Sequence, residues 1–359
     1  MKLPRIALFS DSHHDANNLA RTTLAIEACA RRRNIPLLSV HPGSETTLVN
    51  DGSIVRLGLK RSGLLSIGSK HGPRFDLSMW RHAARVAETV RWFAPDVLHF
   101  TAPSGIGQLG ASLGRRLKIP VVASWDTSAE AHKAKWALMR FYGTSRVVPT
   151  FPTSSGADTE MFTPARRRGA NAIVNIGYVG RLSAEMNVKL LHRIESQLDA
   201  EGLDVRFTLV GDGDEGEWLR RHMLRAQFTG PLRGEALADA YAQMDILAFP
   251  SECRTAGQIV LEAMASGVPA VVMSPRGQPF VVHAEQTAIV ANGADVFVDG
   301  VRTLVRNRGR REAMGIAARA RAIDLLSWDR TFIDICTAYE AAISPSEGED
   351  STGWVLSPA

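Results

Sequence analysis

Short apolar runs alternate with longer stretches in which apolar residues recur every three or four positions, through most of the chain. In the first half the runs are RIALFS (5–10), PLLSVH (36–41), VLHFTA (97–102) and PVVASW (120–125). In the second they are IVNIGYVG (173–180), RFTLVGDG (206–213), AQFTG (226–230), DILAFPS (245–251) and PAVVMS (269–274). Apolar runs of this length between turn-forming residues read as strands covered on both faces. Helical spacing covers 18–33, 77–93, 107–117, 187–201, 217–225 and 234–243. Strand and helix in alternation predict an α/β fold with two parallel-sheet domains. The joint is expected at 154–172, where turn formers and a charge run break the pattern. The expected division is 1–155 and 156–326, then an amphipathic helix over 327–343 and an aperiodic, mobile tail over 344–359.

Length agrees with two domains, since 359 residues exceed the roughly 250–300 that one core supports. Apolar content of 45% with 22% charged residues is that of an ordinary water-soluble chain. Cys29, Cys253 and Cys336 are far apart and in no metal-ligand spacing, so a reducing, cytoplasmic setting is expected, without disulfides or a metal centre. The apolar run at the amino terminus, 6–9, is too short for a signal peptide, and no run is long enough to span a bilayer. The net charge is +5, with arginines grouped at 30–33, 115–116, 165–168 and 306–311. Few aromatic residues accompany these runs and no nucleic-acid-binding motif does, so nucleic acid is not expected as a partner. A solvated basic face, or attraction to anionic lipid or phosphorylated substrates, remains.

The chemistry concentrates at PSECRTAGQIVLEAMASGVPAVV, 250–272. A helix that begins at Gly257 and continues through Gln258 and Ile259 presents free N–H groups and a positive dipole end, a natural seat for phosphate. Glu262, further along an otherwise apolar helix, can accept hydrogen bonds from ribose hydroxyls. The plain alternative is a surface glutamate. Gly180 and Arg181 end a strand at the carboxyl edge of a parallel sheet, where α/β domains bind ligands, and an arginine there can fork onto a diphosphate. The turn around Gly211 and Asp212 and the strand end at Phe228 and Thr229 lie along the same edge.

In this order and spacing, these residues resemble the donor-binding half of retaining glycosyltransferases of the GT-B fold, family 4. The resemblance runs from IALFSDS through GADTEMFTP, VGRLSAEMN, LVGDGDE and FTGPLRGEALADAYAQMDILAFPS to GQIVLEAMASGVPAVV and SWDRTF. It implies two Rossmann-like domains facing a central cleft, with a carboxyl-terminal helix crossing back. It also implies transfer of a sugar from a nucleotide diphosphate-sugar to a hydroxyl acceptor on a lipid, glycan or small molecule. Configuration is retained, and no metal or cofactor is needed beyond the co-substrate. Arg181 would hold the diphosphate and Glu262 the ribose. The start of the helix at Gly257, Gln258 and Ile259 would hold phosphate, and Phe228 to Gly230 the base. Asp11, His13, His14, Asn17 and Asn18 would form an acceptor-side loop. A lipid-linked acceptor would carry peripheral membrane association, at the inner face, with it.

Four positions depart from the family. Its lysine after the arginine is Met186, its sugar-contacting glutamate is Arg254, its following phenylalanine is Ala256, and its acceptor-side histidine is Asp126. Arg254 brings a cation back near the charge lost at Met186 and joins the donor-binding set, while Asp126 stands as the acceptor-side catalytic candidate with Arg181 and Glu262. The alternative is a weakened, nucleotide-binding relative. The stretch between Tyr142 and Ser154 is also short by about a helix and a strand, which predicts a missing or reshaped sheet edge. Two other chemistries compete. GIGQLG (105–110) has dinucleotide-binding spacing but follows the later run VLHFTA rather than the first strand. Asp11 and His13 resemble the opening of a metallophosphoesterase, without its later ligands.

Overall fold

Ile6–Phe9 forms β1, the middle strand of the first of two large sheets, each belonging to its own compact unit. The computed structural model describes residues 4–11, 18–61, 66–67, 75–101, 104–125, 150–152, 156–169, 173–252, 257–273 and 282–344. The chain divides into Met1–Ser154 with Thr331–Ala359, and Ser155–Arg330. All of the expected tail except Ser344 lies outside the described residues.

In the first unit β1 is followed by α1 (Asn18–Arg32), β2 (Leu37–Gly43), β3 (Thr47–Asp51) and β4 (Ile54–Lys60). A two-residue antiparallel pair comes next, β5 (Ser66–Ile67) with β6 (Phe75–Asp76). A 3-10 turn, Leu77–His82, leads into α2 (Ala83–Phe93), then β7 (Val97–Phe100), α3 (Gly105–Leu117), β8 (Val121–Trp125) and β9 (Thr150–Pro152). The sheet order is β3-β4-β2-β1-β7-β8-β9, parallel except for β3. At one edge stands β9, three residues paired with β8 and closing on Pro152, which cannot donate to a further strand, and the rest of the 142–154 stretch lies outside the described residues. At the other edge the β3–β4 hairpin turns at Gly52, φ 65°, inside a stretch the sequence reading left unassigned.

Alternation of side chains along each strand decides what packs where. Ala7, Phe9, Leu98 and Phe100 meet Val86, Val90 and Phe93 of α2 and Ile106, Leu109 and Leu113 of α3 in one core. The last glycine of GIGQLG, Gly110, serves that contact. A Cβ on Gly110 would come 2.8 Å from the Phe9 ring, and one on the next glycine, Gly114, 2.2 Å from Val121. The motif that matched dinucleotide spacing is thus a close helix-to-sheet packing surface. Ser104 caps the helix by accepting from Gly107 N at 3.1 Å, so α3 starts two residues before the expected 107.

The second unit runs β10 (Val174–Val179), a 3-10 turn at Ala184–Met186, α4 (Lys189–Ala200), β11 (Val205–Val210), α5 (Gly216–His222), β12 (Ala226–Gly230) and α6 (Gly234–Ala242). It continues through β13 (Ile246–Phe249), α7 (Gly257–Ala265), β14 (Ala270–Met273), β15 (Ala288–Ala291), α8 (Ala294–Arg306) and α9 (Arg308–Asp324). The last helix, α10 (Trp328–Ile343), begins here and from Thr331 onward belongs to the first unit. The sheet is parallel throughout, in the order β12-β11-β10-β13-β14-β15. No helix among the described residues is long and apolar enough to cross a membrane.

Two of the arginine runs of this unit are consumed locally. Arg166 and Arg168 pair with Asp239 and Arg167 with Asp245, while Arg306 pairs with Glu201, Arg308 with Glu312 and Arg310 with Glu285. Arg168, Arg306 and Arg308 remain exposed beside their carboxylate partners.

Candidate functional site

In an open parallel sheet, ligands bind beyond the carboxyl ends of the strands where strand order reverses. The second unit steps outward from β10 to β12, then returns to lay β13 on the other side of β10. The reversal therefore lies between β10 and β13. β10 leads into Gly180 and Arg181, and β13 leads through Pro250, Ser251 and Glu252 toward α7.

The two exits touch. Tyr178 and Phe249 stack with ring centroids 6.1 Å apart. Asn187 Nδ2 reaches the Pro250 carbonyl at 3.5 Å, and Ser251 Oγ donates to Met186 Sδ at 3.4 Å. Met186, standing where the family has a lysine, is thus a neutral, partly buried contact in the seam itself. Lys189, one turn later, is committed to Glu215 at 3.1 Å and lies over Trp218, 5.0 Å from the ring centre.

Arg181 is exposed, and among the described residues its guanidinium makes no ion pair or hydrogen bond. Its backbone is fixed: the Tyr178 hydroxyl, pushed well above its ordinary pKa by burial and so kept as a donor, reaches the Arg181 carbonyl at 2.7 Å. The loops on this side are stitched together. Gly180 N donates to Val210 O, Gly211 N to Gly230 O and Leu182 N to Asp212 O, each at 2.9 Å. Gly211 has φ 136°, and a Cβ there would stand 1.9 Å from the Gly180 carbonyl oxygen, so only glycine allows the approach. Asp212 is exposed and uses Oδ1 to accept from Gly213 N at 2.9 Å.

Phe228 and Thr229 belong to the end of β12 rather than to a turn. Phe228 lies under the Arg220 guanidinium, 5.2 Å from the ring centre, and the Thr229 hydroxyl turns back to the Gly230 carbonyl at 2.9 Å. Gly230, φ 72°, has open space where a side chain would be.

Gly257 opens α7, whose first N–H groups have no partner within the helix. The Tyr241 hydroxyl donates to the Ile259 carbonyl at 3.2 Å. Glu262 is 3% exposed, which removes the reading of a surface glutamate. A carboxylate at that depth must be held by donors. The Gln258 amide is one, 3.3 Å from Glu262 Oε1, and it also reaches the Gly156 carbonyl at 3.5 Å. Gln258 therefore braces Glu262 against the hinge segment, a link that helix spacing alone permits, at i to i+4.

His13, His14, Asn17, Asp126 and Arg254 lie outside the described residues, as does Ala256. Asn18 is the first residue of α1. Asp11, in the other unit, is buried, with its carbonyl accepting from Arg61 at 2.8 Å. Tyr178, Asn187 and Ser251 were not singled out from sequence. The available signal was that a tyrosine inside a fully buried strand needs a partner for its hydroxyl.

The family described as glycosyl transferases group 1 matches residues 174–307, which span both sides of this reversal. The sulfoquinovosyl transferase SQD2 of Arabidopsis thaliana is 29% identical over 284 residues, 66% of this chain and 54% of that protein, so the chain spans about half of its length. A GDP-mannose-dependent alpha-mannosyltransferase of Mycolicibacterium smegmatis is 30% identical over 295 residues, covering 72% of this chain and 77% of the relative. Among solved structures, a glycosyltransferase from Rickettsia africae aligns with a TM-score of 0.68 at 13% identity, over 96% of this chain and all of that one. Anabaena HepE in complex with UDP and glucose aligns at 0.66 and 16% identity, over 94% of this chain. The two-sheet architecture is that of the GT-B fold, and the chain belongs to the group 1 glycosyl transferases.

Proposed function

We propose that the protein is a retaining glycosyltransferase that moves a sugar from a nucleoside diphosphate-sugar to a hydroxyl acceptor. The observation that carries this reading is the reversal between β10 and β13, where an exposed guanidinium at Arg181, without a polar partner among the described residues, follows one strand and a helix start with buried Glu262 follows the other. The mycobacterial relative, a GDP-mannose-dependent mannosyltransferase, supports a donor of this class.

As the bond from sugar to diphosphate breaks, negative charge grows on the leaving phosphate. Arg181, on a fixed backbone, and the α7 dipole stabilise that charge more than the ground state. The acceptor oxygen bonds to the anomeric carbon on the face the diphosphate leaves, and a phosphate oxygen takes the acceptor proton, so configuration is kept. Glu262 holds the ribose. The reading uses a guanidinium and a helix end rather than a divalent ion, and turnover is expected to persist in excess chelator. Nothing beyond the nucleotide-sugar is required as a cofactor. Lipid-linked hydroxyls belong to the proposed acceptors, and a reducing cytoplasmic setting suits the free thiols of Cys29 and Cys336.

Calorimetric titration with UDP, GDP and ADP tests the donor site. Because Met186 contributes no charge, binding should lean on Arg181, and Arg181→Ala is expected to weaken it by about 1.5–3 kcal/mol, the range for a hydrogen bond to a charged group. Equal affinity in the variant would remove Arg181 from the site.

A further inference from the structure

A helix that covers a domain normally turns its charged residues to solvent. α9 departs from this. Its buried side is Met314, Gly315, Ala318 and Ala322, and a Cβ on Gly315 would stand 2.3 Å from the carbonyl oxygen of Gly267, just past the end of α7. Arg319 ties the helix down further, donating to the carbonyls of Phe162, Ala265 and Thr159 at 2.8, 2.5 and 3.0 Å. At 3.6 residues per turn, the side opposite is Gly309, Ala313, Ile316, Ala320 and Ile323. All five are exposed, Ile316 at 73% and Ile323 at 44%. Apolar residues scattered singly over a surface need no explanation, but a line of them without a polar member does.

The steps along that line are four, three, four and three residues, the spacing of a helix that packs lengthwise on another helix. Its side chains also fit a second copy of themselves. With two copies of α9 antiparallel about a two-fold axis, Ala313 faces the second copy's Ile323 and Ile316 faces the second copy's Ala320, and symmetry repeats both layers. Each layer sets a small side chain against a large one, which fills the space between helices without voids. The same register brings Arg310 beside the second copy's Asp324, twice. The Asp324 carboxylate has no ion pair or hydrogen bond among the described residues, and the Arg310 guanidinium, paired with Glu285, keeps further donors. On the other flank Arg319 meets its own copy, but its guanidinium is held by the three carbonyls of its own unit. Parallel pairing would set isoleucine on isoleucine and alanine on alanine, and would leave Asp324 facing that committed Arg319.

We infer that the exposed face of α9 is a homodimer interface, in which two copies of the helix pack antiparallel about a two-fold axis. A second copy of the chain is favoured over another protein because the size alternation and the charges are both self-complementary, which an unrelated partner would not require. One helix pair is a small interface, so the dimer is weak and reversible.

Sedimentation velocity of the full-length protein, from low to high micromolar concentration, tests this. The wild type should pass reversibly from monomer to dimer. Ile316→Glu places two charges in each interface and should raise the dissociation constant by more than about a hundredfold. Leu224→Glu, at a position 90% exposed and outside α9, serves as control and should dimerise like wild type. Arg310→Glu and Asp324→Arg each set like charges together twice and should weaken the dimer by about tenfold. The antiparallel register makes a sharper demand: an equimolar mixture of these two variants should form a heterodimer of wild-type affinity, because both cross-pairs are then opposite in sign. Ile316 is exposed and glutamate is a good helix former, so thermal unfolding of that variant should match the wild type. A wild type that stays monomeric throughout, a dimer indifferent to Ile316→Glu, or equal loss in the control overturns the interface. Failure of the mixed variants to associate better than either alone overturns the antiparallel pairing. Nucleoside diphosphate affinity should be unchanged in all of these variants, which keeps this result separate from the donor site.

Discussion

At the scale of single residues the site depends on positions with no room for a side chain. Gly211 is the sharpest case: its Cβ would press on a backbone oxygen, Gly180 O at 1.9 Å, which cannot rotate away, and its φ of 136° is itself unfavourable for other residues. Gly211→Ala should cost roughly 1–3 kcal/mol of local strain or more, spent by parting the Gly180 and Gly211 loops. The expected result is a protein that still unfolds cooperatively but binds nucleoside diphosphate weakly. Unchanged affinity in a calorimetric titration would show that the contact between these loops does not shape the site. Gly180, Arg181 and Gly211 were legible in the sequence because each closes an apolar run with a residue type that has a stated job at a sheet edge. Glu262 was legible as an odd carboxylate in an apolar helix. The brace from Gln258 was not, because a polar residue one turn before an acid is ordinary on any helix and only the burial of Glu262 gives the pair meaning. Nor was the seam of Tyr178, Asn187 and Ser251: the partners of Asn187 and Ser251 lie 63 and 65 residues away and meet them only through strand order.

At the scale of elements, α3 shows how spacing can mislead. Its glycines repeat as a phosphate-binding loop would, yet they sit on the helix, where Gly110 and the following Gly114 let it approach the sheet. Replacing Gly114 by alanine adds helix propensity worth about 1 kcal/mol. It also drives a methyl group to 2.2 Å from Val121 and 3.2 Å from the Ile119 carbonyl, and overpacking of that kind typically costs about 1–3 kcal/mol. Gly114→Ala should therefore lower the midpoint of denaturant unfolding without changing nucleoside diphosphate affinity in the folded protein. A raised midpoint would mean that α3 stands further from the sheet than the packing requires. The opposite error occurred at α8 and α9. The arginine-rich 306–311 run drew attention as a charge cluster, while Phe297, Val298, Val301 and Leu304, buried at helical spacing just before it, went unassigned. The β3–β4 hairpin was missed too, although Asp51-Gly52 between two alternating runs is the ordinary signal for such a turn.

At the scale of the whole chain, the backbone leaves the first unit once and comes back to it through α10. Where the helix returns, it is met by a buried polar group. Alternation along β7 turns His99 away from the core shared by α2 and α3. Its Nδ1 lies 2.8 Å from the Tyr339 hydroxyl and its Nε2 2.7 Å from Ser124 Oγ. A neutral imidazole with one donor and one acceptor satisfies two hydroxyls in either tautomer, so nothing at this contact needs a charge. Burial pushes the His99 pKa down to about 3. The sign of the linkage follows from that depression. The unfolded chain takes up a proton near pH 6.5, the folded chain does not until about 3, and stability is full above that range and falls as acid is added. The slope from this group alone approaches 1.4 kcal/mol per pH unit at most, roughly. In His99→Asn the slope is absent, while a hydrogen-bonding side chain remains. The wild type should be the more stable at neutral pH, and its advantage should shrink as the pH falls from about 7 to about 5, a range mostly above carboxylate titration. Tyr339→Phe, which keeps the ring and removes the hydroxyl, should destabilise by about 1–3 kcal/mol by leaving a buried ring nitrogen without its partner. A stability difference between wild type and His99→Asn that stays constant over this pH range would mean that His99 protonates in the folded state, and that the return of α10 does not seal it from water.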